Sequence, residues 1–274
     1  MNRDQQLRTL TVNVFEKAAA AVQRGPFTGM TLVQETSWHG GHVLQKLLGI
    51  YEMELHGAIE EAVAFHPTSI VNVGCAEGYY AVGLALRLPQ ATVHVFDSDL
   101  AALSVCEKAA AANRAESNLR LEKSCTGTQI TTLLRRAERC LMFVDCEGCE
   151  TTLFPEIDLK DLIRTIVIVE MHEYLFPGST EELMQRFGNT HQVQSIAQSA
   201  RNPHEIEFLR DLPEDTQWLA VSEGRPQTMN WFFAVPRTTE RATPEDRLSP
   251  TDRVGGRCCG NPQRARPAKR LFAV

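Results

Sequence analysis

Apolar residues follow two spacings in alternation along this chain, and this alternation predicts the secondary structure. Short runs rich in β-branched residues recur about every 20 to 25 residues, and most are followed by apolar residues at helical spacing. Strand and helix in alternation form parallel βαβ units. The sequence therefore predicts an α/β fold, a Rossmann-like and mostly parallel sheet with helices on both faces. The predicted strands are 70–73, 91–96, 119–121, 140–144, 165–169, 193–196 and 231–235.

The region before the first strand is predicted to be helical. Residues 4–23 and 45–65 both have apolar positions at helical spacing, and the polar stretch 28–41 between them is either a loop that closes over a site or a disordered connector. We expect residues 1–66 to form a cap or lid, 67–237 the α/β domain, and 238–274 a disordered basic tail. The simplest interpretation of the acidic residues in the second helix is a solvated face, formed by Glu52, Glu54, Glu60 and Glu61.

The first strand leads into a turn with two glycines, Gly74 and Gly78. Glycine allows unusual backbone dihedrals, and the helix that begins near Tyr79 presents unpaired N–H groups to an anion. The turn is therefore a candidate cradle for a nucleotide or cofactor. The alternative is a strand-to-helix turn without a ligand, which is common in α/β domains.

Polar residues stand at the ends of four predicted strands. Parallel strands place their carboxyl ends at one edge of a sheet, so we expect these side chains to converge on one site. Asp97 follows the second strand, where a carboxylate can accept hydrogen bonds from the hydroxyls of an adenosine ribose. Capping of the next helix is the alternative for Asp97, and we assign that role to Ser98 or Asp99. The strand-end residues are Asn72, Gly74, Asp97, Asp145, Glu147, Glu170 and His172.

Composition and charge limit the cell compartments and the classes of partner to be expected for this protein. The 274 residues contain no apolar run long enough for a membrane span, and the N-terminus lacks the features of a signal peptide, so we expect a cytoplasmic protein with no membrane partner. The net charge is −6, and because the tail carries +4, the first 237 residues carry −10. An acidic body of this kind does not indicate a nucleic-acid partner.

Eight cysteines are scattered along the chain, and without an export signal we expect reduced thiols, most of them small buried side chains. Cys146 and Cys149 have the spacing of a metal or redox pair. Only Cys258 and Cys259 could complete a four-thiolate site, so structural zinc or dithiol chemistry is the less favoured interpretation. A nicotinamide dehydrogenase is also disfavoured, because its glycine-rich turn would need glycine at Ala76 and glycine or alanine at Tyr79.

Four segments together resemble the FkbM-type family of class I S-adenosylmethionine-dependent methyltransferases. They are VNVGCAEGYYAVGLA, HVFDSD, FVDCEGCETTLF and IVIVEMH, and the resemblance extends over residues 48–236. It implies a seven-stranded sheet with a reversed last strand, S-adenosyl-L-methionine as cofactor, and methyl transfer to a hydroxyl of a small molecule or saccharide.

The resemblance also implies roles for individual residues. Gly74 and Gly78 would line the methionine half of the cofactor, Asp97 would hold the ribose, and Asp145 would lie nearest the reacting methyl group. Asn72 stands where the family commonly has an acid, and Glu77 could compensate for it. With Cys75 of the same turn, the predicted cofactor-binding set is Asn72, Gly74, Cys75, Glu77, Gly78, Asp97 and Asp145.

A hydroxyl is a poor nucleophile and needs a base or a metal. His172 is the predicted base, because imidazole titrates near neutral pH. Asp145, Glu147 and Glu170 could orient it or bind a divalent cation, although no metal site is predicted. Two other classes stay open, a methyltransferase-fold protein that binds without catalysis and a nicotinamide-dependent oxidoreductase.

Overall fold

A computed structural model describes residues 2–35, 42–225 and 227–237 of the chain. Two predicted segments lie outside the described residues: positions 36–41 of the predicted 28–41 loop, and the predicted tail 238–274 with Cys258 and Cys259. The helices are α1 (Arg3–Lys17), α2 (Val43–Leu48), α3 (His56–Ala64), α4 (Tyr79–Arg87), α5 (Leu100–Ala112), α6 (Gly127–Arg136), α7 (Glu150–Leu153), α8 (Leu159–Leu162), α9 (Ser179–Phe187) and α10 (Glu214–Val221).

Seven strands form one sheet, in the order β3-β2-β1-β4-β5-β7-β6. The first five strands pair in parallel, whereas β7 runs antiparallel to both β5 and β6. This arrangement confirms the predicted fold class, including the reversed last strand. The strands are β1 (Ser69–Val73), β2 (Thr92–Phe96), β3 (Leu119–Glu122), β4 (Cys140–Val144), β5 (Thr165–Met171), β6 (His191–Ala197) and β7 (Asn230–Pro236).

The central strands are buried on both faces, as the long β-branched runs predict. Every residue of β1, β4 and β5 is buried. Side chains alternate between the two faces of a strand, and the core accordingly divides into two apolar clusters. Phe143 and Ile168 belong to one cluster, while Val144 and Val169 belong to the other. Helices on both faces of the sheet keep its backbone away from water.

The prediction of one helix over residues 45–65 is wrong. The chain forms α2, then a connection with left-handed backbone at Gly49 (φ +67°) and Glu52 (φ +46°), and then α3. A Cβ atom at position 49 would lie 2.0 Å from the carbonyl oxygen of Arg24, so the close approach of these two segments requires glycine there. The break directs Glu52 inward.

The first helix is also shorter than the predicted 4–23. It ends at Lys17, and Ala19 and Ala20 both have positive φ. Residues 21 and 31 then form an isolated antiparallel bridge. Apolar spacing continues past the end of the helix because Val22 packs into the same core as the sheet.

The N-terminal helices share an apolar cluster with the segment before the last strand. Leu10 and Val14 of α1 and Leu47 of α2 contact the cluster that contains Leu209 and Val221. Residues 1–237 form one compact unit by the distribution of contacts. The division into a cap and an α/β domain stays a prediction. In the described ranges no helix has both the length and the apolar character needed to cross a membrane.

Candidate active site

The strand register brings the predicted site residues to one edge of the sheet. Val73 lies opposite both Phe96 and Val144, so the carboxyl ends of β1, β2 and β4 are level, and β5 continues two residues past Val169, the partner of Val144. Side-chain alternation then places three polar residues on the same face as Phe143. These residues are Asn72, Asp145 and Glu170.

The Gly74 turn is held by Asp97. One carboxylate oxygen of Asp97 accepts hydrogen bonds from the backbone N–H groups of Cys75 and Ala76, each at 3.0 Å. The other oxygen accepts from the N–H of Asp99 at 2.9 Å. A carboxylate has about four lone-pair sites, so one is left for a ligand in this conformation. A ribose diol that donates two hydrogen bonds would displace one of the bonds to the turn.

The structure shows that Asp99, and not Asp97, caps helix α5. Asp99 is the N-cap residue of α5, and its side chain accepts a hydrogen bond from the N–H of Ala101 at 2.8 Å. Asp97 makes no contact of that kind with the helix. The ribose role of Asp97 stays a prediction. In the structure, Asp97 holds the Gly74 turn through its hydrogen bonds to Cys75 and Ala76.

Both glycines of the turn are required by packing inside the protein. A Cβ atom on Gly74 would lie 1.6 Å from the carbonyl oxygen of Asp145, and a Cβ atom on Gly78 would lie 2.7 Å from the sulfur of Cys106. Both residues also have positive φ. Their presence is therefore explained without a ligand, and by themselves they do not identify a cofactor site.

Asn72 gives a more direct indication of a ligand. Its side chain is buried, and its amide group donates to the carbonyl oxygens of Gly74 (3.3 Å) and Phe143 (3.4 Å), but its Oδ1 has no hydrogen-bond partner within the protein. An unsatisfied buried oxygen costs about 1–3 kcal/mol. This oxygen is closed to solvent, so a ligand donor such as an ammonium group would satisfy it only after a local rearrangement at the edge of β1.

A shallow, open pocket lies beside the start of α4. Lys46 and Glu77 form an ion pair of 2.9 Å in its wall, and Gly78 and Tyr79 line it as well. Glu77 and Gly78 of the predicted cofactor-binding set line this pocket, whereas Asp97 and Asp145 do not. The pocket therefore lies between the Gly74 turn and residues of the N-terminal region such as Lys46.

His172 is buried among three carboxylates. Its Nδ1 lies 3.0 Å from Glu150, and its Nε2 lies 3.2 Å from Glu147 and 4.0 Å from Glu170. Burial lowers the pKa of this imidazole, but the hydrogen bonds to Glu147 and Glu150 and the charge of Glu170 outweigh burial and raise the pKa to about 10. The raised pKa favours the imidazolium form at neutral pH and counts against a neutral imidazole base, so the base role of His172 stays a prediction.

Asp145 lies beside Glu170. Burial and the adjacent Glu170 carboxylate raise the pKa of Asp145 well above its usual range. A carboxylate with a raised pKa is a stronger proton acceptor than an ordinary aspartate.

A buried ion network adjoins these residues and was not predicted from the sequence. Arg225 pairs with Glu52, Glu170 and Glu223, the last at 3.0 Å. Glu223 also pairs with Arg201 at 2.5 Å. The expectation that Glu52 and Glu54 lie on a solvated face is wrong, because the side chain of Glu52 is fully buried and that of Glu54 is 4% exposed. Only the nonhelical break after α2 could have indicated their inward direction.

Glu52 lies at the centre of this network. Burial and the charge of Glu170 raise its pKa to about 8, against the opposing effect of Arg225. The hydroxyl of Tyr80 donates a hydrogen bond to Glu52, and the Tyr80 ring stacks on Phe143 at 4.1 Å between centroids. The network thereby joins the N-terminal region, the helix after the Gly74 turn, and β5.

The cysteine prediction is wrong for one pair. Cys146 and Cys149 form a disulfide in the segment between β4 and α7, whereas Cys75, Cys106, Cys125 and Cys140 are free thiols. The pair is close enough to bond because the chain reverses at Glu147 and Gly148, which both have positive φ. The sequence spacing alone could not distinguish this outcome from two separate thiols.

Asp145, Glu147 and His172 each offer a ligand atom, and these atoms lie within 4.8 Å of one another. A divalent cation could bind there only by displacing the proton and the carboxylate contacts of His172. No metal requirement follows from the arrangement.

Comparison with known proteins gives structural matches only. No family model matches the sequence, and no curated protein matches it. The solved structures that match include an O-methyltransferase from Bacillus cereus in complex with SAH, at 11% identity and a TM-score of 0.43, over 84% of this chain and 91% of that one. The O-methyltransferase TomG from Streptomyces achromogenes, in complex with SAM, has 11% identity and a TM-score of 0.44, over 85% and 90%. Precorrin 8w decarboxylase from Methanobacterium thermoautotrophicum has 14% identity and a TM-score of 0.43, over 65% and 89%.

Identities and TM-scores this low transfer neither substrate nor activity. The strand order and the reversed β7 instead define the class, which is the class I methyltransferase-like fold. Membership of the FkbM-type family stays a prediction from the sequence.

Proposed function

We propose that this protein is an S-adenosyl-L-methionine-dependent methyltransferase that acts on a hydroxyl group of a small molecule or saccharide. The observation that carries the proposal is the unsatisfied Oδ1 of Asn72, which lies at the carboxyl edge of a class I methyltransferase-like sheet, on the same face as Asp145 and Glu170. In open α/β sheets this edge is where ligands bind.

The residues present fit the proposed cofactor. Asn72 would accept from the ammonium group of its amino-acid part, with Glu77 and Lys46 in the adjoining pocket wall. Asp97 would accept from the ribose after releasing one bond to the Gly74 turn. When bound, S-adenosyl-L-methionine supplies an electrophilic methyl group, and alignment of the acceptor with it would provide much of the acceleration.

Proton acceptance is assigned to the Asp145–Glu170 pair. A hydroxyl loses its proton as it attacks, so an unprotonated group must lie nearby. The raised pKa of His172 favours the imidazolium, which cannot take this proton, whereas the raised pKa of Asp145 makes its carboxylate a better acceptor. His172 would act by holding Glu147 and Glu150 in place beside the acceptor.

Ligand-induced stabilisation tests the cofactor assignment. A ligand that binds only the native state increases the free energy of unfolding, by about 2.7 kcal/mol at a concentration 100 times its dissociation constant. The melting temperature rises accordingly. We expect S-adenosyl-L-methionine and S-adenosylhomocysteine to raise the melting temperature and NAD to leave it unchanged. Stabilisation by NAD alone would favour the oxidoreductase.

Asp97 and Asp99 provide a matched pair of variants. Asp97→Asn is expected to weaken S-adenosyl-L-methionine binding about tenfold or more, because it removes a charged acceptor and puts an N–H donor against the turn. Asp99→Ala is expected to lower stability by about 1 kcal/mol through loss of the α5 cap, with unchanged affinity. Calorimetric titration of both variants measures this, and an unchanged affinity in Asp97→Asn would refute the ribose assignment.

A binding protein without catalysis is the second candidate. It is favoured by the raised pKa of His172, because an imidazolium at the edge of the sheet is not a proton acceptor. Transfer of labelled methyl groups to small molecules of a cell extract distinguishes the two. Binding of S-adenosyl-L-methionine with no labelled product in any extract fraction would support the second candidate.

A further inference from the structure

The disulfide Cys146–Cys149 lies inside the segment that supplies the carboxylates of the site. Its Cα atoms are 5.5 Å apart, and both residues are half-buried, so a small dithiol can reach the bond. Asp145 precedes the pair, Glu147 lies between its members, and Glu150 follows it. No role in methyl transfer has been assigned to the two sulfurs above.

The disulfide closes a backbone reversal that is unfavourable by itself. Glu147 has φ of +55° and Gly148 has φ of +105°. A side chain such as that of glutamate rarely adopts the left-handed region, and such residues persist only where the surroundings hold them. Reduction of the bond removes one of the constraints that hold Glu147 in this conformation.

The same bond is next to the groups that surround His172. The N–H of Gly148 donates to one oxygen of Glu150 at 3.0 Å, and His172 contacts the other oxygen of Glu150 at 3.0 Å. The sulfur of Cys146 lies 3.7 Å from the oxygen that Gly148 uses. A reduced Cys146 would carry an S–H able to donate to this oxygen in competition with Gly148.

We propose that Cys146 and Cys149 form a reversible redox site, whose disulfide holds Glu147 and Glu150 in position around His172 and whose reduction releases them. A dithiol reductant supplies two electrons and two protons. One of its thiolates attacks a sulfur of the protein disulfide and expels the other cysteine as a thiolate; its second thiol then attacks the resulting mixed disulfide and expels the remaining cysteine, which leaves two cysteine thiols and the cyclic oxidised reductant. Oxidised glutathione reverses the reaction and leaves as two molecules of glutathione. In a reducing compartment, protein disulfides are usually transient or redox-sensing.

The chemical state of the pair is measured on the full-length protein. Treatment with dithiothreitol under native conditions, followed by alkylation and mass spectrometry, is expected to add label at Cys146 and Cys149, and oxidised glutathione is expected to prevent it. Hydrogen exchange of the backbone at residues 145–150 is expected to be faster in the reduced protein. A pair that resists native reduction, or equal exchange in the two states, overturns the proposal.

Turnover supplies a second measurement, which rests on the proposed methyl transfer. Reduction is expected to lower turnover about tenfold or more, because small displacements of positioning groups have effects of this size, while affinity for S-adenosyl-L-methionine is unchanged. The double variant Cys146→Ser and Cys149→Ser is expected to behave as the reduced protein with or without dithiothreitol. Cys125→Ser, which removes a half-buried free thiol, is expected to keep the redox response.

The two proposals fail differently. Absence of methyl transfer in both redox states contradicts the proposed function, while labelling and hydrogen exchange still decide the redox site. Equal turnover of an active enzyme in both states contradicts the redox site and leaves methyl transfer intact.

Discussion

Replacing Arg225 with methionine is expected to lower the free energy of unfolding by about 3–5 kcal/mol at pH 9, where Glu52 is ionised, because it leaves buried carboxylates without their counter-charge. Arg225 is the shared partner of Glu52, Glu170 and Glu223, and all three carboxylates are buried. For a unit of this size, the loss corresponds to roughly 6–20 °C in melting temperature. Urea denaturation and thermal melting of the variant measure it.

The deficit of Arg225→Met is expected to shrink at low pH. Glu52 already has a pKa raised to about 8 by burial and by Glu170, and removal of the arginine raises it further. Protonated carboxyls need no counter-charge, so the variant should approach the wild type at pH 5. The matched control is Arg87→Met, which breaks a surface pair whose side chains are 31% and 51% exposed, with an expected loss of about 1 kcal/mol or less. Equal losses in both variants would contradict a buried network.

Replacing His172 with glutamine is expected to remove a pH dependence of stability at alkaline pH. The pKa of His172 is about 10 in the folded protein, against an ordinary value of 6.5, because the hydrogen bonds to Glu147 and Glu150 and the charge of Glu170 outweigh burial. A raised histidine pKa stabilises the fold fully below pH 6.5 and loses that effect as pH rises towards 10. Within this window the wild type should lose about 1.4 kcal/mol per pH unit relative to His172→Gln.

Chemical denaturation of both proteins between pH 8 and 9.5 measures this slope. His204→Gln, at an exposed histidine, is the control and should leave the wild-type curve unchanged. Parallel curves for wild type and His172→Gln would show that His172 is neutral in the fold and would support it as a candidate base. If the proposed methyl transfer is correct, His172→Gln should also lower turnover strongly while cofactor affinity is unchanged.

Local hydrophobic patterns in the sequence were sufficient to predict the strands of the sheet. The continuous apolar runs at 140–144 and 231–235 were enough to predict β4 and β7, because strands buried on both faces must be apolar along their length. The convergence of Asn72, Asp145 and Glu170 also followed, since parallel strands necessarily place their carboxyl ends together. Residue type and position limited the cap of α5 to Ser98 or Asp99, and the structure selects Asp99.

Long-range contacts decided the chemistry of the site. The imidazolium of His172 depends on Glu147 and Glu150, and the burial of Glu52 depends on Arg225, which is 173 residues away in the chain. Such pairings leave no periodic pattern, because charged residues at these positions look the same in a sequence whether they face water or each other. The sequence by itself therefore determined which elements form and which edge of the sheet carries the polar groups. Only the tertiary structure decided which of those groups hold protons, because a protonation state depends on burial and on neighbouring charges that are brought together by folding.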